Sequence, residues 1–373
     1  MPPCATAGNR LQNGLTSAMF ITGLGTASPS QRYTQKECWE VFRESDLSRH
    51  LSLRSRAIIK KVLTGENGIT ARHLALDNLH QAFDLTPDAL HARFMRHAPT
   101  LAARAAERAL ADAGTQPERI DALLISTCTG YLCPGLTSYV SERLALRPDV
   151  LGLDLVGQGC AAALPNLRAA EALLAAGRVE RVLSICVEVC SAALYFDDDP
   201  GVLISACLFG DGAGAAVLAH APNGRRRIEW KASAAFLCPK SRNALRFEQK
   251  AGMLRNVLLP QVPAIAAQHV GTVLEEVLGK ARLGREEVKG WVLHPGGRDV
   301  LAALQQQLGL VPADVRWSEA VLQEYGNVSS ASVFFVLEAA RNDSTPGGYW
   351  WMSSFGAGFS CHGALLDVES ARR

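Results

Sequence analysis

The chain has 373 residues, 48% of them hydrophobic and 20% charged, which excludes global disorder and predicts two closely fused core units. Basic and acidic residues number 38 and 36, and the resulting net charge of +2 is too balanced for a nucleic-acid partner. No uninterrupted apolar run is long enough for a membrane span, and the opening MPPCATAGNRLQNGLTSAMF lacks the charged and apolar regions of a secretory signal.

Residues 1–18 are polar and mixed with Gly and Ala, and are predicted to form an N-terminal arm. Met19–Gly25 reads as a first strand, and Gln31–Phe83 holds several short amphipathic stretches. From there strands and helices alternate. The predicted helices are Leu101–Gly114, Leu136–Leu144 and Ala161–Ala176. The strands are Asp121–Thr127, Val150–Val156, Val182–Cys190 and Gly214–Ala219. After a basic turn at 223–227 a similar order restarts. Strands are predicted at Arg227–Leu237, Val288–His294, Gly348–Phe355 and Cys361–Val368, and helices at Val262–Leu278, Arg298–Leu308 and Asn327–Arg341. The class is therefore α/β with buried sheets, in two related halves, 19–226 and 227–373.

The ten cysteines fall largely in apolar runs such as SICVEVC and SACLFG, which read as strands using cysteine as a small hydrophobe. That usage predicts a reducing, cytoplasmic setting. The pairs Cys128/Cys133 and Cys186/Cys190 lack zinc-ligand spacing and have no His nearby, so no metal site is predicted.

Three strand–helix junctions carry chemistry. Cys160, in GQGC, follows a strand and precedes a helix, where the helix N-terminus would lower a thiol's pKa. His294, in HPGG, ends a strand at the edge where α/β folds place their sites. Asn327, in YGNVSSAS, opens a helix and offers an amide that can donate to an oxyanion. Together they supply a nucleophile, a base and an oxyanion donor. No Walker loop or GxGxxG motif follows a strand, so no nucleotide cofactor is predicted.

The chain resembles the type III polyketide synthases, the chalcone-synthase-like branch of the thiolase fold. The resemblance runs from Met19 to the end. It rests on GQGCAAA, LFGDGAGAAVL, VLHPGG, YGNVSSASV and SFGAGF. It implies a layered αβαβα fold and a homodimer that uses malonyl-CoA and an acyl-CoA starter, with no cofactor. Cys160 then matches the acyl-carrying nucleophile, with His294, as an imidazolium favouring the thiolate, and Asn327 as its partners. Phe209 matches a gatekeeping aromatic, and Cys133 a residue that reaches into the partner's cavity. Cys128, Cys190 and Ala193 resemble cavity-wall positions, where plant chalcone synthases have threonine at several. Gly356, Ala357 and Gly358 match a glycine loop near the site, with alanine where many relatives have proline. Arg54, Arg56, Lys60 and Lys61 lie near the region that binds CoA phosphates. A wall short of hydroxyls predicts a fatty acyl-CoA starter and an alkylpyrone or alkylresorcinol product. The alternatives are a single-condensation 3-oxoacyl-carrier-protein synthase and a catalytically inactive scaffold of the same fold. A thiolase would need a second active cysteine, for which Cys361 is suggestively placed.

Overall fold

The computed structural model describes residues 18–224, 226–343 and 346–370; the predicted arm lies outside them apart from Ala18. Strand β1 (Met19–Ala27) is buried along its whole length. A small antiparallel pair, β2 (Arg32–Thr34) and β3 (Ala71–His73), brackets helices α1 (Gln35–Glu44), α2 (Asp46–His50) and α3 (Leu53–Thr64). Thr34, Ser45 and Ser52 start these helices, each accepting a backbone N–H three residues on. Helix α4 (Pro87–Ala113) runs from the Thr86 cap to a left-handed Gly114. The sequence predicted only its second half, because Pro99 interrupts the signal; the helix carries that proline inside it.

Next come β4 (Ala122–Ser126), α5 (Leu136–Leu144), β5 (Leu151–Leu155), α6 (Ala163–Ala175), β6 (Arg181–Glu188), α7 (Pro200–Leu208) and β7 (Gly212–Ala219). The run SACLFG is thus not a strand. Asp199 accepts the N–H groups of Gly201 and Val202, Pro200 occupies the first turn, and the chain is helical to Leu208. The remaining elements are β8 (Ile228–Leu237), β9 (Leu245–Lys250), β10 (Met253–Leu258), α8 (Val262–Ala281), β11 (Val288–Leu293), α9 (Arg298–Leu308), α10 (Pro312–Tyr325), α11 (Ser332–Asn342), β12 (Gly348–Gly356) and β13 (Ser360–Val368).

One sheet has the order β11-β12-β13-β8-β1-β7-β6-β4-β5. Strands before residue 220 fill one end and those after residue 227 the other. They meet at a narrow seam, Met19 opposite Trp230 and Phe20 opposite Glu229. Successive residues of a strand enter different cores. Leu124, Val182 and Leu218 join α6 and α11, as do Trp350, Met352 and Leu366 from the other end. Leu123, Ile125, Leu183 and Val217 face α4 instead. Trp291, Leu293, Trp351 and Leu365 face α8 and α9. Strands covered on both faces must be apolar on both, as these are. The layers are therefore helix, sheet, helix, sheet, helix, the αβαβα order implied by the resemblance.

Candidate active site

After β5 the chain turns through Gly157 and Gly159, whose φ values of 87° and 53° lie in the left-handed region. This sets Cys160 in a single 3-10 turn, Gly159–Ala161, ahead of α6 rather than on the helix itself. The end of β12 backs onto that turn. Ser354 Oγ donates to the Ala161 carbonyl at 3.0 Å. A Cβ at Gly356 would stand only 2.5 Å from the Gln158 carbonyl and the Ala161 nitrogen, so the approach needs glycine. Strand β11 runs parallel to β12, and His294, one residue past it, donates its backbone N–H to Ser353 at 3.0 Å. Strand β12 is thus the shared neighbour of the cysteine turn and the histidine.

Asn327 does not cap a helix. Its backbone makes a parallel bridge with Phe209: its N–H donates to Leu208 at 2.9 Å, and its carbonyl accepts from Gly210 at 3.0 Å. Its Oδ1 accepts the Ser329 N–H at 2.8 Å, and its Nδ2 donates to the Gly296 carbonyl at 3.2 Å. A second short 3-10 turn, Ser329–Ala331, delays α11 to Ser332. Ser329 has φ of 49°, a strained value for a residue with a Cβ. Its Oγ lies 3.4 Å from Cys160 Sγ. Cys160, Cys190 and Phe209 pack as one small apolar cluster. The three junctions are therefore knit together through Phe209, Ser329, Gly296 and β12.

The charge states differ from those read off the sequence. Burial pushes the Cys160 thiol up to about 12, against a smaller opposing effect of the Ser329 hydroxyl. Burial also lowers His294 to about 3, so the ring is neutral rather than an imidazolium. Taking either charge out of water outweighs the helix-end field that the sequence suggested. Both ring nitrogens of His294 are buried without a partner among the described residues. Phe355 meets the ring edge-to-face at 5.1 Å.

A cavity of about 580 Å³, its open mouth included, is lined by Cys160, Phe209, Cys128, Cys190, Ala193 and Ala357 among the predicted residues. His294 and Asn327, 1% and 3% exposed, are not among its lining residues. Gly358, with φ of 106°, turns β12 into β13. Cys133 is exposed and outside the cavity of its own chain. Arg54, Lys60 and Lys61 are exposed on α3 and Arg56 is half-buried. That helix packs against α7, whose Val202, Ser205 and Ala206 line the cavity. Cys361 is buried in the α8–α9 core and does not line the cavity, so the structure gives it no thiolase role.

Two features escaped the sequence reading. The hairpin β9–β10 contributes Leu245, Phe247 and Asn256 to the cavity wall. Glu188 is wholly buried beside the site; its carboxylate meets the Thr129 hydroxyl at 2.9 Å, the Cys128 N–H at 3.1 Å and the Ser330 hydroxyl. Burial is the largest influence on it and raises its pKa. The signal was present as the one carboxylate in the apolar run SICVEVC. Among the described residues no group of three or more His, Cys, Asp or Glu could hold a metal ion, and no helix is long and apolar enough to cross a membrane.

These charge states fix a pH dependence. Only the thiolate alkylates, and a thiol with a pKa near 12 is almost wholly protonated at neutral pH. Iodoacetamide labelling of Cys160 in the resting protein is expected to rise about tenfold per pH unit between pH 7 and 9. A plateau already reached near pH 7 would show a resting thiolate–imidazolium pair instead.

Residues 26–237 match the family described as FAE1/Type III polyketide synthase-like protein, and residues 229–367 match the chalcone and stilbene synthases, C-terminal domain. The chain is 29% identical over 369 residues to a 3,5-dihydroxyphenylacetyl-CoA synthase of Streptomyces toyocaensis, covering 93% of this chain and 89% of that one. It is 30% identical over 351 residues to a 1,3,6,8-tetrahydroxynaphthalene synthase of Streptomyces peucetius subsp. caesius, with 93% and 92% covered. It is 27% identical over 388 residues to the alpha-pyrone synthesis polyketide synthase-like Pks18 of Mycobacterium tuberculosis, with 97% and 96% covered. The crystal structure of PKS-I from the brown alga Ectocarpus siliculosus superposes with a TM-score of 0.86 at 28% identity, covering 96% of this chain and all of that one. With its layered sheets and its Cys160-centred cavity, the chain belongs to the type III polyketide synthase family, acyltransferases of the thiolase fold.

Proposed function

We propose that Cys160 carries an acyl starter and that His294 and Asn327 stabilise the enolate formed from malonyl-CoA. The starter is a fatty acyl-CoA, and the product is an alkylpyrone or alkylresorcinol. The observation that carries the starter is the wall chemistry: Cys190, Ala193, Leu194, Val202, Ala206 and Phe209 line the cavity. A second, mostly apolar pocket of about 530 Å³, its open mouth included, lies between α1, α3 and α7 and shares Leu194, Ala206 and Phe209 with the first. Of the hydroxyl residues that line the wall, Thr129 is engaged with Glu188 and Ser329 with Glu188 and Cys160, while Tyr195 and Ser205 stand among the apolar side chains. The name of the mycobacterial relative speaks of alpha-pyrone synthesis, whereas the Streptomyces relatives are named for other products.

The chemistry follows from the neutral pair. The Cys160 thiol attacks the acyl-CoA carbonyl and passes its proton to an imidazole nitrogen, and CoA leaves as the thiol. Malonyl-CoA then loses carbon dioxide, and the electron pair of the broken bond spreads onto the thioester oxygen. A neutral His294 keeps one N–H to donate to that oxygen, and Asn327 Nδ2 has a second hydrogen beyond the one given to Gly296. The carbanion attacks the Cys160 thioester and releases the sulfur, which regains a proton, leaving a chain two carbons longer on CoA. Cys160 then takes that chain back by attacking its CoA thioester, and CoA leaves as the thiol. Repetition and ring closure complete the product. The substrate supplies its own electron pair, so the reaction as written needs no further cofactor. Arg54, Arg56, Lys60 and Lys61 on α3 are offered as the CoA-phosphate face, and the setting is cytoplasmic.

A homodimer belongs to the same reading. Strand β5 ends the sheet as an open edge, with Leu151 41% exposed and Val156, one residue past the strand, 66% exposed, which invites pairing with a second copy. Cys133 would then reach the partner's cavity. Sedimentation equilibrium is expected to return twice the chain mass; a monomer at micromolar concentration would remove this part.

Asn327→Ala is expected to lower malonyl-CoA decarboxylation about 10²–10³-fold. Cys160→Ala should keep decarboxylation and lose every extended product. Product masses from a panel of acyl-CoAs, with malonyl-CoA alone as one arm, test the starter. Long-chain acyl-CoAs should give the highest kcat/KM. Preference for coumaroyl-CoA, or full activity with malonyl-CoA alone, would refute the fatty-acyl assignment.

A further inference from the structure

The hairpin β9–β10 pairs with no other strand among the described residues. A two-stranded hairpin is marginal by itself, so its position depends on what its two faces touch. Cross-strand partners share a face, and successive pairs alternate. Phe247 and Asn256 are partners, as are Leu245 and Leu258. Phe247, Asn256 and Leu245 line the reaction cavity, and of the intervening pair Arg246–Val257 only Arg246 also reaches it. Asn256 is 7% exposed, and its Oδ1 is buried without a partner. Glu248 and Arg255 are the adjacent pair and so project from the opposite face.

On that face Arg255 is held by three carboxylates. Its Nε donates to Asp197 at 2.8 Å, one terminal nitrogen to Glu248 at 2.7 Å, and the other lies 3.2 Å from Asp199. The aspartates belong to a run that fastens two further elements of the cavity mouth. Asp198 accepts the Ser52 N–H and the Ser55 hydroxyl at the start of α3, at 3.0 and 2.5 Å. Asp199 caps α7 through the Gly201 N–H at 2.8 Å. This guanidinium, with only 11% of its side chain exposed, is the most buried tie between the hairpin and the segment that starts α7 and anchors α3; the more exposed Lys250 adds a second contact to Asp197 at 3.6 Å. Without it, among the described residues, Glu248 would keep only Arg246, at 2.9 Å, as an ion-pair partner and Asp197 only Lys250, so the joint between hairpin and aspartates would be held more weakly.

We propose that Arg255 is a positioning residue that fixes the hairpin wall of the reaction cavity, and through Phe247 and Asn256 sets how many two-carbon units are added before release. This rests on the reading of Cys160 as the acyl carrier. The guanidinium touches no reacting atom. It acts by holding the inner face of the hairpin at a set distance from the growing chain. A hydrophobic pocket discriminates one methylene only weakly, so chain length is sensitive to small wall movements.

The test compares Arg255→Met, Arg255→Lys and Glu248→Gln with the unaltered protein, using a starter that the latter accepts. Three readouts are taken: the acyl adduct on the Cys160 peptide, the ratio of products differing by one extension, and hydrogen exchange along the chain. Arg255→Met is expected to shift the product ratio at least threefold toward additional extensions. Starter loading on Cys160 should stay within twofold, and faster exchange should be confined to 245–258. Arg255→Lys should restore most of the original ratio, and Glu248→Gln should shift it the same way by less. An unchanged ratio in folded Arg255→Met overturns the proposal. So does an equal loss of all products in the Met and Lys variants, which marks a structural role alone. If Arg255→Met does not fold, Glu248→Gln decides, and an unchanged ratio there overturns it. Failure of the unaltered protein to load Cys160 overturns the acyl-carrier reading and, with it, this one.

Discussion

The proposed chemistry depends on one constraint, the desolvation of Cys160 and His294. Cys160 is 8% and His294 1% exposed, and burial favours the uncharged state of each. A neutral imidazole retains one nitrogen able to accept a proton and another able to donate, which an imidazolium does not. In the proposed reaction the same ring serves both when the thiol is acylated and when negative charge develops on the thioester oxygen. The low dielectric that suppresses the resting thiolate also strengthens any hydrogen bond made to that oxygen.

The layered fold makes such a dry point possible. Strands β4, β6, β11 and β12 are covered on both faces, and their ends deliver turns into the interior. The turn bearing Cys160 comes from one end of the sheet and His294 from the other, and Ser354 and Gly356 of β12 close the gap. The bridge between Phe209 and Asn327 crosses the same divide. Backbone contacts of this kind leave little freedom, which suits groups that must stabilise charge without reorganising.

Much of this was legible in the sequence. The alternation of apolar strands with capped helices gives the layers, and glycines beside Cys160 and His294 mark sharp turns at strand ends. What escaped depends on tertiary context. The run SACLFG is apolar enough for a strand, yet Asp199 and Pro200 make it a helix. Pro99 hides half of α4 because a buried helix tolerates a break that an isolated one would not. Asn327 looks like a cap, but its amide is oriented by Gly296 and Ser329, far and near in sequence. The protonation of Cys160 and His294 was misjudged because burial is a property of the assembled core. The hairpin wall was missed because β9 and β10 are largely half-exposed and present no clean alternation of apolar residues.

The central claim is that Cys160, and no other thiol, holds the growing acyl chain. Nine described cysteines are free, and Cys128 and Cys190 line the same cavity. The most direct measurement is to mix the protein with an acyl-CoA in the absence of malonyl-CoA, quench in acid, digest, and locate the acyl mass by peptide sequencing in the mass spectrometer. The account predicts a stoichiometric thioester on the Cys160 peptide. An adduct confined to Cys128, Cys190 or Cys361 would contradict it.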